Sequence, residues 1–132
     1  MTANITLDAG ALIALDRNDR YMWSVLRVAA DDGTIVQVPA GVIAQAWRGG
    51  PRQALLSRAL RHCDEISLDG ATARAAGILC AQTATSDVID ATVALAAGSI
   101  ARSGDSVVFT SDPIDITHLT ERLDGPIWIE TV

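Results

Sequence analysis

Residues 4–17 read NITLDAGALIALDR, and the hydrophobic pattern of this stretch changes at Asp8. Up to Leu7 the apolar positions alternate, which is the period of a strand. From Ala11 through Leu12 to Leu15 they take helical spacing. A strand that hands over to a helix at one acidic residue is the first half of a crossover unit.

The same handover repeats along the chain. Asp19 is placed to cap a helix from Arg20 to about Ala30, and DDGT turns it into a strand, IVQVP. AGVIAQAWR returns to helix until Gly49, Gly50 and Pro51 stop it, and a further helix covers Gln53 to about Arg61. CDEISLD reads as a short strand, followed by helices from about Ala71 to Thr83 and from Asp87 to about Ala101. SVVFTSD is a β-branched strand, PIDITHLTERL a helix with Pro in its first turn, and IWIETV a closing strand. Strands separated by helical segments need crossovers, so the expected fold is a three-layer α/β/α domain with a mostly parallel sheet. No repeat, low-complexity run or linker divides residues 1–132, which read as a single domain.

Composition narrows the function classes. The net charge is −6, which argues against a basic, sequence-independent nucleic-acid binder. All ten basic residues are arginine, and four of them (Arg48, Arg52, Arg58 and Arg61) fall in WRGGPRQALLSRALRH. The absence of lysine excludes a P-loop, whose G-K-[ST] has no match here, and a receiver-type phosphoacceptor site, which needs a lysine beside its aspartate. No apolar run approaches the ~18 residues of a membrane span. The stretch Ala9–Leu15 is short and is broken by Asp16, Arg17 and Asn18, so no signal peptide and a cytoplasmic location are expected. Cys63 and Cys80 form no C-x-x-C pair and are expected as buried, reduced thiols. His62 and His118 have no zinc spacing and read as surface residues.

The acids follow a pattern. In open parallel sheets ligands bind beyond the carboxyl ends of the strands. Asp8 directly follows the first strand, Asp112 follows VVFTS, and Asp87 with Asp90 opens the helix of TSDVIDATVALAA. If these segments adjoin, a carboxylate cluster forms, and with no lysine present its obvious counter-charge is a divalent cation such as Mg²⁺ or Mn²⁺. Each acid also has a local reading. Asp8 and Asp112 stand where N-caps stand, Ser86 or Asp87 is available to cap the next helix, and Asp115 fits as a solvent-facing first-turn acid.

Four segments together, ITLDAGALIAL, VPAGVIAQAWR, DVIDATVALAA and VVFTSDPIDITHL, resemble in order the PIN-domain ribonucleases, in particular the VapC-type toxins of bacterial toxin–antitoxin pairs. The resemblance implies a Rossmann-like α/β/α fold and a quartet of acids that uses Mg²⁺ or Mn²⁺ to hydrolyse RNA. Asp8 matches the first acid, Asp90 the third and Asp112 the fourth, with Asp87 and Asp115 close enough to assist. The second acid, usually Glu in the third helix, is replaced by Gln45, which keeps a carbonyl oxygen able to bond a metal-bound water and loses the charge. Three carboxylates then remain for one ion, and activity that is reduced, that relies on Asp87, or that is lost are the alternatives. Thr110 and Ser111 are candidates to orient the ligands. Arg48 and Arg52 are candidates for the RNA backbone, and Trp47 for stacking on a base or for core or partner surface. A cognate antitoxin and a homodimer are the partners implied. The competing reading is a noncatalytic module of the same fold that binds an antitoxin or RNA without cutting it.

Overall fold

The structure is a computed structural model and describes residues 3–132. Five strands form one sheet: β1 (Asn4–Leu7), β2 (Val36–Pro39), β3 (Asp64–Ile66), β4 (Ser106–Thr110) and β5 (Ile127–Thr131). Their order is β3-β2-β1-β4-β5 and every pairing is parallel. Parallel neighbours require crossovers, which here are helices: α1 (Ala9–Asp16) and α2 (Arg20–Asp32), then α3 (Ala40–Ala46) and α4 (Ala54–Leu60), then α5 (Gly70–Thr83) and α6 (Val88–Ala101), and last α7 (Pro113–Thr120). The expected α/β class and the mostly parallel sheet are what the chain forms. The sheet builds outward from β1 in both directions, so the strand order reverses between β1 and β4.

Strand alternation sorts the two faces. Thr6, Gln37 and Ser106 turn towards α6: the Gln37 amide donates to Thr6 Oγ1 (3.0 Å) and to the Ala96 carbonyl (2.8 Å), and the Ser106 hydroxyl donates to the Ala97 carbonyl (2.8 Å). These buried polar groups are all partnered, so they fix the seat of α6 without the penalty of an unmade bond. Leu7, Leu12, Leu15, Met22 and Leu56, all fully buried, belong to the main cluster that joins the sheet to α1, α2 and α4. A smaller cluster of Ala76, Leu79, Cys80, Ala91, Ala94 and Leu119 joins α5, α6 and α7.

The helix expected from Gln53 begins one residue later, after a 3-10 turn at Pro51–Gln53. The cause is the Gln53 side chain, which turns inward. Its Oε1 accepts from the Arg48 and Gly49 amides (2.6 and 2.8 Å), and its Nε2 donates to the Ala46 carbonyl (2.9 Å) and to Asp16 Oδ2 (3.3 Å). Cys80 is buried as expected and Cys63 only half-buried, because it leads into the exposed edge strand β3; both thiols are free. Burial pushes the Cys63 thiol up to about 12, with Asp64 and Glu65 adding to the effect, so it is no thiolate at neutral pH. His118 lies on the surface and its Nε2 pairs with the Thr83 carbonyl (2.8 Å), tying α7 to the end of α5. Among the described residues, no single helix is long and apolar enough to cross a membrane.

Candidate metal centre

The reversal of strand order opens a crevice at the carboxyl ends of β1 and β4, where Asp8 and Asp112 stand. Asp8 is buried and extended, and it does three things at once. Its Oδ1 caps α1 by accepting from the Gly10 and Ala11 amides (2.9 and 3.3 Å), its amide continues the ladder to the Phe109 carbonyl, and its Oδ2 accepts the Thr110 hydroxyl. Thr110, fully buried, accepts in turn from the Asp112 amide (2.8 Å). One hydroxyl therefore sets the distance between the first acid and the backbone of the last. Desolvation raises the Asp8 pKa, and the bonds from Thr110, Ala11, Gly10 and Ser111 oppose that rise.

Gly10 is the residue that lets these two segments approach. A Cβ built there would overlap the Ser111 side chain and stand 2.9 Å from the Ser111 amide nitrogen. Overpacking of this kind costs about 1–3 kcal/mol, against about 1 kcal/mol that Ala gains over Gly in a helix. Gly10→Ala should therefore give a net loss of roughly 1 kcal/mol, read as a lower midpoint in urea unfolding. An unchanged midpoint would mean that the contact between α1 and the β4–α7 loop yields freely.

The pair Asp87 and Asp90 divides its labour. Asp87 is the N-cap of α6, and its Oδ1 accepts from the Asp90 amide (2.9 Å). That leaves the Asp90 side chain no capping duty. Its Oδ2 is buried without any hydrogen-bond partner. Burial first, and then the charges of Asp87, Asp112, Asp8 and Asp115, push the Asp90 pKa up to about 7. Every charge acting on Asp90 is negative.

Asp112 occupies the N-cap position of α7 yet makes no capping bond, and Asp115 follows in the first turn. One oxygen each from Asp90, Asp112 and Asp115 lies within 4.8 Å of the others. Desolvation and the adjoining Asp115 raise the Asp112 pKa, with Asp8 adding to it. Repelling carboxylates held this close, one with an orphaned oxygen, are the hard donor set that suits a divalent ion. The residues present fit such an ion.

The remaining candidates lie apart from this cluster. Gln45 is exposed on α3 and makes none of the hydrogen bonds described at the acids. Trp47, Arg48 and Arg52 are exposed around the loop that Gln53 pins to Asp16, at the opposite end of α1 from Asp8. An eight-residue helix is about 12 Å long, which sets the scale of the separation. Ser111 follows Thr110 at the mouth of the crevice and is exposed.

No protein-family model matches the chain, and no curated protein matches it. Among solved structures it is similar to VapBC2 from Rickettsia felis bound to a DNA fragment from its promoter, at 12% identity with a TM-score of 0.65. That likeness covers 97% of this chain and 98% of the other. At this identity it shows the fold, a PIN-like three-layer α/β/α arrangement.

Proposed function

We propose that this chain is a metal-dependent endoribonuclease that hydrolyses RNA phosphodiester bonds and acts as the toxin of a toxin–antitoxin pair. The observation that carries this reading is the convergence of Asp90, Asp112 and Asp115, with Asp8 close enough to act on their ionisation, around an unpaired buried carboxylate oxygen. The likeness to the VapBC2 structure supports the toxin–antitoxin part. A cognate antitoxin, a second copy of the chain and a cytoplasmic location go with the same reading.

Asp8, Asp90 and Asp112 would hold Mg²⁺ or Mn²⁺, with Asp115 and Asp87 beside them. Such an ion, when bound, supplies Lewis acidity towards the phosphate and lowers the pKa of a water. The chain's own groups do the rest. Thr110 keeps the Asp8 carboxylate turned towards the crevice, Asp90 releases its proton to become a ligand, and the amino ends of α1, α6 and α7 all face the same charge. Arg48, Arg52 and Trp47 stand away from the acids, where they would contact the RNA backbone and a base at a distance from the scissile bond. With Gln45 in place of a fourth carboxylate, the site holds a single ion.

The test is cleavage of a mixed cellular RNA in Mg²⁺ or Mn²⁺. Loss of cutting on chelation and in Asp112→Asn is the expected result. Cutting that survives both would place the chemistry elsewhere, and RNA retention on a gel without cutting in either metal would favour the noncatalytic module that the uncharged Gln45 suggests.

The raised Asp90 pKa also fixes the direction of a pH dependence. A carboxyl must lose its proton to bind a metal, so the proton and the ion compete for Asp90. Mn²⁺ affinity is expected to climb from pH 5.5, by up to about tenfold per unit, and to level off above about pH 7. Titration of Mn²⁺ at four pH values reads this directly; a flat profile over that range would remove Asp90 from the ligand set.

A further inference from the structure

Two layers of helices are expected over a parallel sheet, since strands of this kind are almost always covered on both faces. Here one face of β4 and β5 is covered by α6 and α7, and the other is not. Ser106 turns towards α6, so Val107 and Phe109 alternate to the opposite face, and the register pairs Val107 with Trp128 and Phe109 with Glu130. On that face α2 is the last helix. Between it and the sheet runs a groove of about 290 Å³ lined by Val25, Val28 and Asp32 of α2 and by Val107 and Phe109. Tyr21, Val28 and Trp128 are 55%, 57% and 61% exposed beside it.

Dimensions say what is missing. Strands lie about 4.8 Å apart and a helix is about 10 Å across, so one helix covers two strands. The bare strip is the width of one helix packed beside α2. Charge says what kind of helix. No basic residue lines the groove. Asp32 closes its end at the strand amino termini, where Ala3 and Thr34 also line it, and Glu130 follows Trp128 on the same face towards the other end. A second copy packed here would set these acids against their own equivalents, which is unfavourable.

We propose that the uncovered face of β4 and β5 beside α2 is the docking site for an amphipathic helix of a protein partner, apolar towards Val28, Val107 and Trp128 and basic towards Asp32 and Glu130. The site is separate from the acidic crevice, so its occupancy does not depend on a metal.

The experiment uses the metal-free chain in chelator and a labelled helical peptide of about 16 residues, with leucine on one stripe and lysine on the other, followed by fluorescence anisotropy. A peptide with glutamate in place of lysine is the control. Saturable binding of the lysine peptide at one per chain is expected, at least about tenfold weaker in Trp128→Glu and in Val28→Glu. Both variants add negative charge, so mere attraction to an acidic protein would strengthen instead. Arg58→Ala, whose side chain stacks over Trp23 at 4.9 Å elsewhere on the surface, should bind as the wild type does. Equal binding of the glutamate peptide, or undiminished binding by the two glutamate variants, would overturn the proposal. So would self-association in sedimentation that Trp128→Glu abolishes, because a second copy would then cover the face.

Discussion

Asp90→Asn is expected to make the metal-free protein more stable while it abolishes the response to divalent metal. In the folded chain the Asp90 pKa stands near 7 against an ordinary 3.8, so folding disfavours its ionised form. The sign follows from linkage. Below about pH 4 the group is protonated whether folded or not and contributes no penalty. As pH rises from about 4 to about 7 the unfolded chain gains by ionising and the folded chain does not, so stability is lost over that window and the loss is constant above it. Asparagine keeps the shape and drops the charge. The melting midpoint of Asp90→Asn in chelator should therefore exceed that of the wild type by an amount that grows between pH 4 and pH 7. Added Mn²⁺ should reverse the order, because a ligand at 100 times its dissociation constant stabilises the wild type by about 2.7 kcal/mol. Changing even an outer partner of a ligand typically weakens a metal site about 10–100-fold, and loss of a ligand itself belongs at or beyond the upper end. A lower midpoint for Asp90→Asn in chelator would show that its carboxylate is already satisfied within the protein.

Asp8→Ala should move the metal-free protein the other way. Asp8 caps α1 and receives the Thr110 hydroxyl, so its removal loses an N-cap, worth about 0.5–2 kcal/mol, and strands a buried hydroxyl, worth about 1–3 kcal/mol. A loss of roughly 2–4 kcal/mol is expected in urea unfolding, together with loss of metal binding. The two acids thus share a proposed ligand role and differ in the sign of their effect on the bare protein. If Asp8→Ala were as stable as the wild type, the link from Asp8 through Thr110 to Asp112 would not be what holds the crevice together.

Much of this arrangement was legible in the sequence because it is local. The change of period at Asp8 marks a strand passing to a helix, and the repeated handovers gave the parallel sheet; element ends fell within a residue or two of those expected. That Asp8 and Asp112 share a crevice follows from strand order, which a run of crossover units constrains. The division of labour between Asp87 and Asp90 was not legible. Ser86 and Asp87 are both capping residues, and only the start of α6 at Val88 decides that Asp87 caps and Asp90 is left unpaired. Contacts distant in sequence were also out of reach. Gln53 reaches Asp16 across 37 positions and reads in the sequence as an ordinary first-turn glutamine, and the fit of Gly10 against Ser111 leaves no local mark beyond the small residue after Asp8. The open face of β4 and β5 was hidden for a different reason: Trp128 sits in an alternating strand, and alternation alone does not say which helix, if any, covers its face.

The central claim is that the crevice acids form one divalent-ion site. Electron paramagnetic resonance of Mn²⁺ titrated into the protein at pH 8 tests it most directly, since the free ion's signal falls as it binds and no RNA is needed. One bound ion per chain in the wild type and none in Asp90→Asn is the predicted result. Undiminished free signal at millimolar Mn²⁺, or equal binding by the two proteins, would contradict it and leave Asp90 an unpaired acid beside a helix cap.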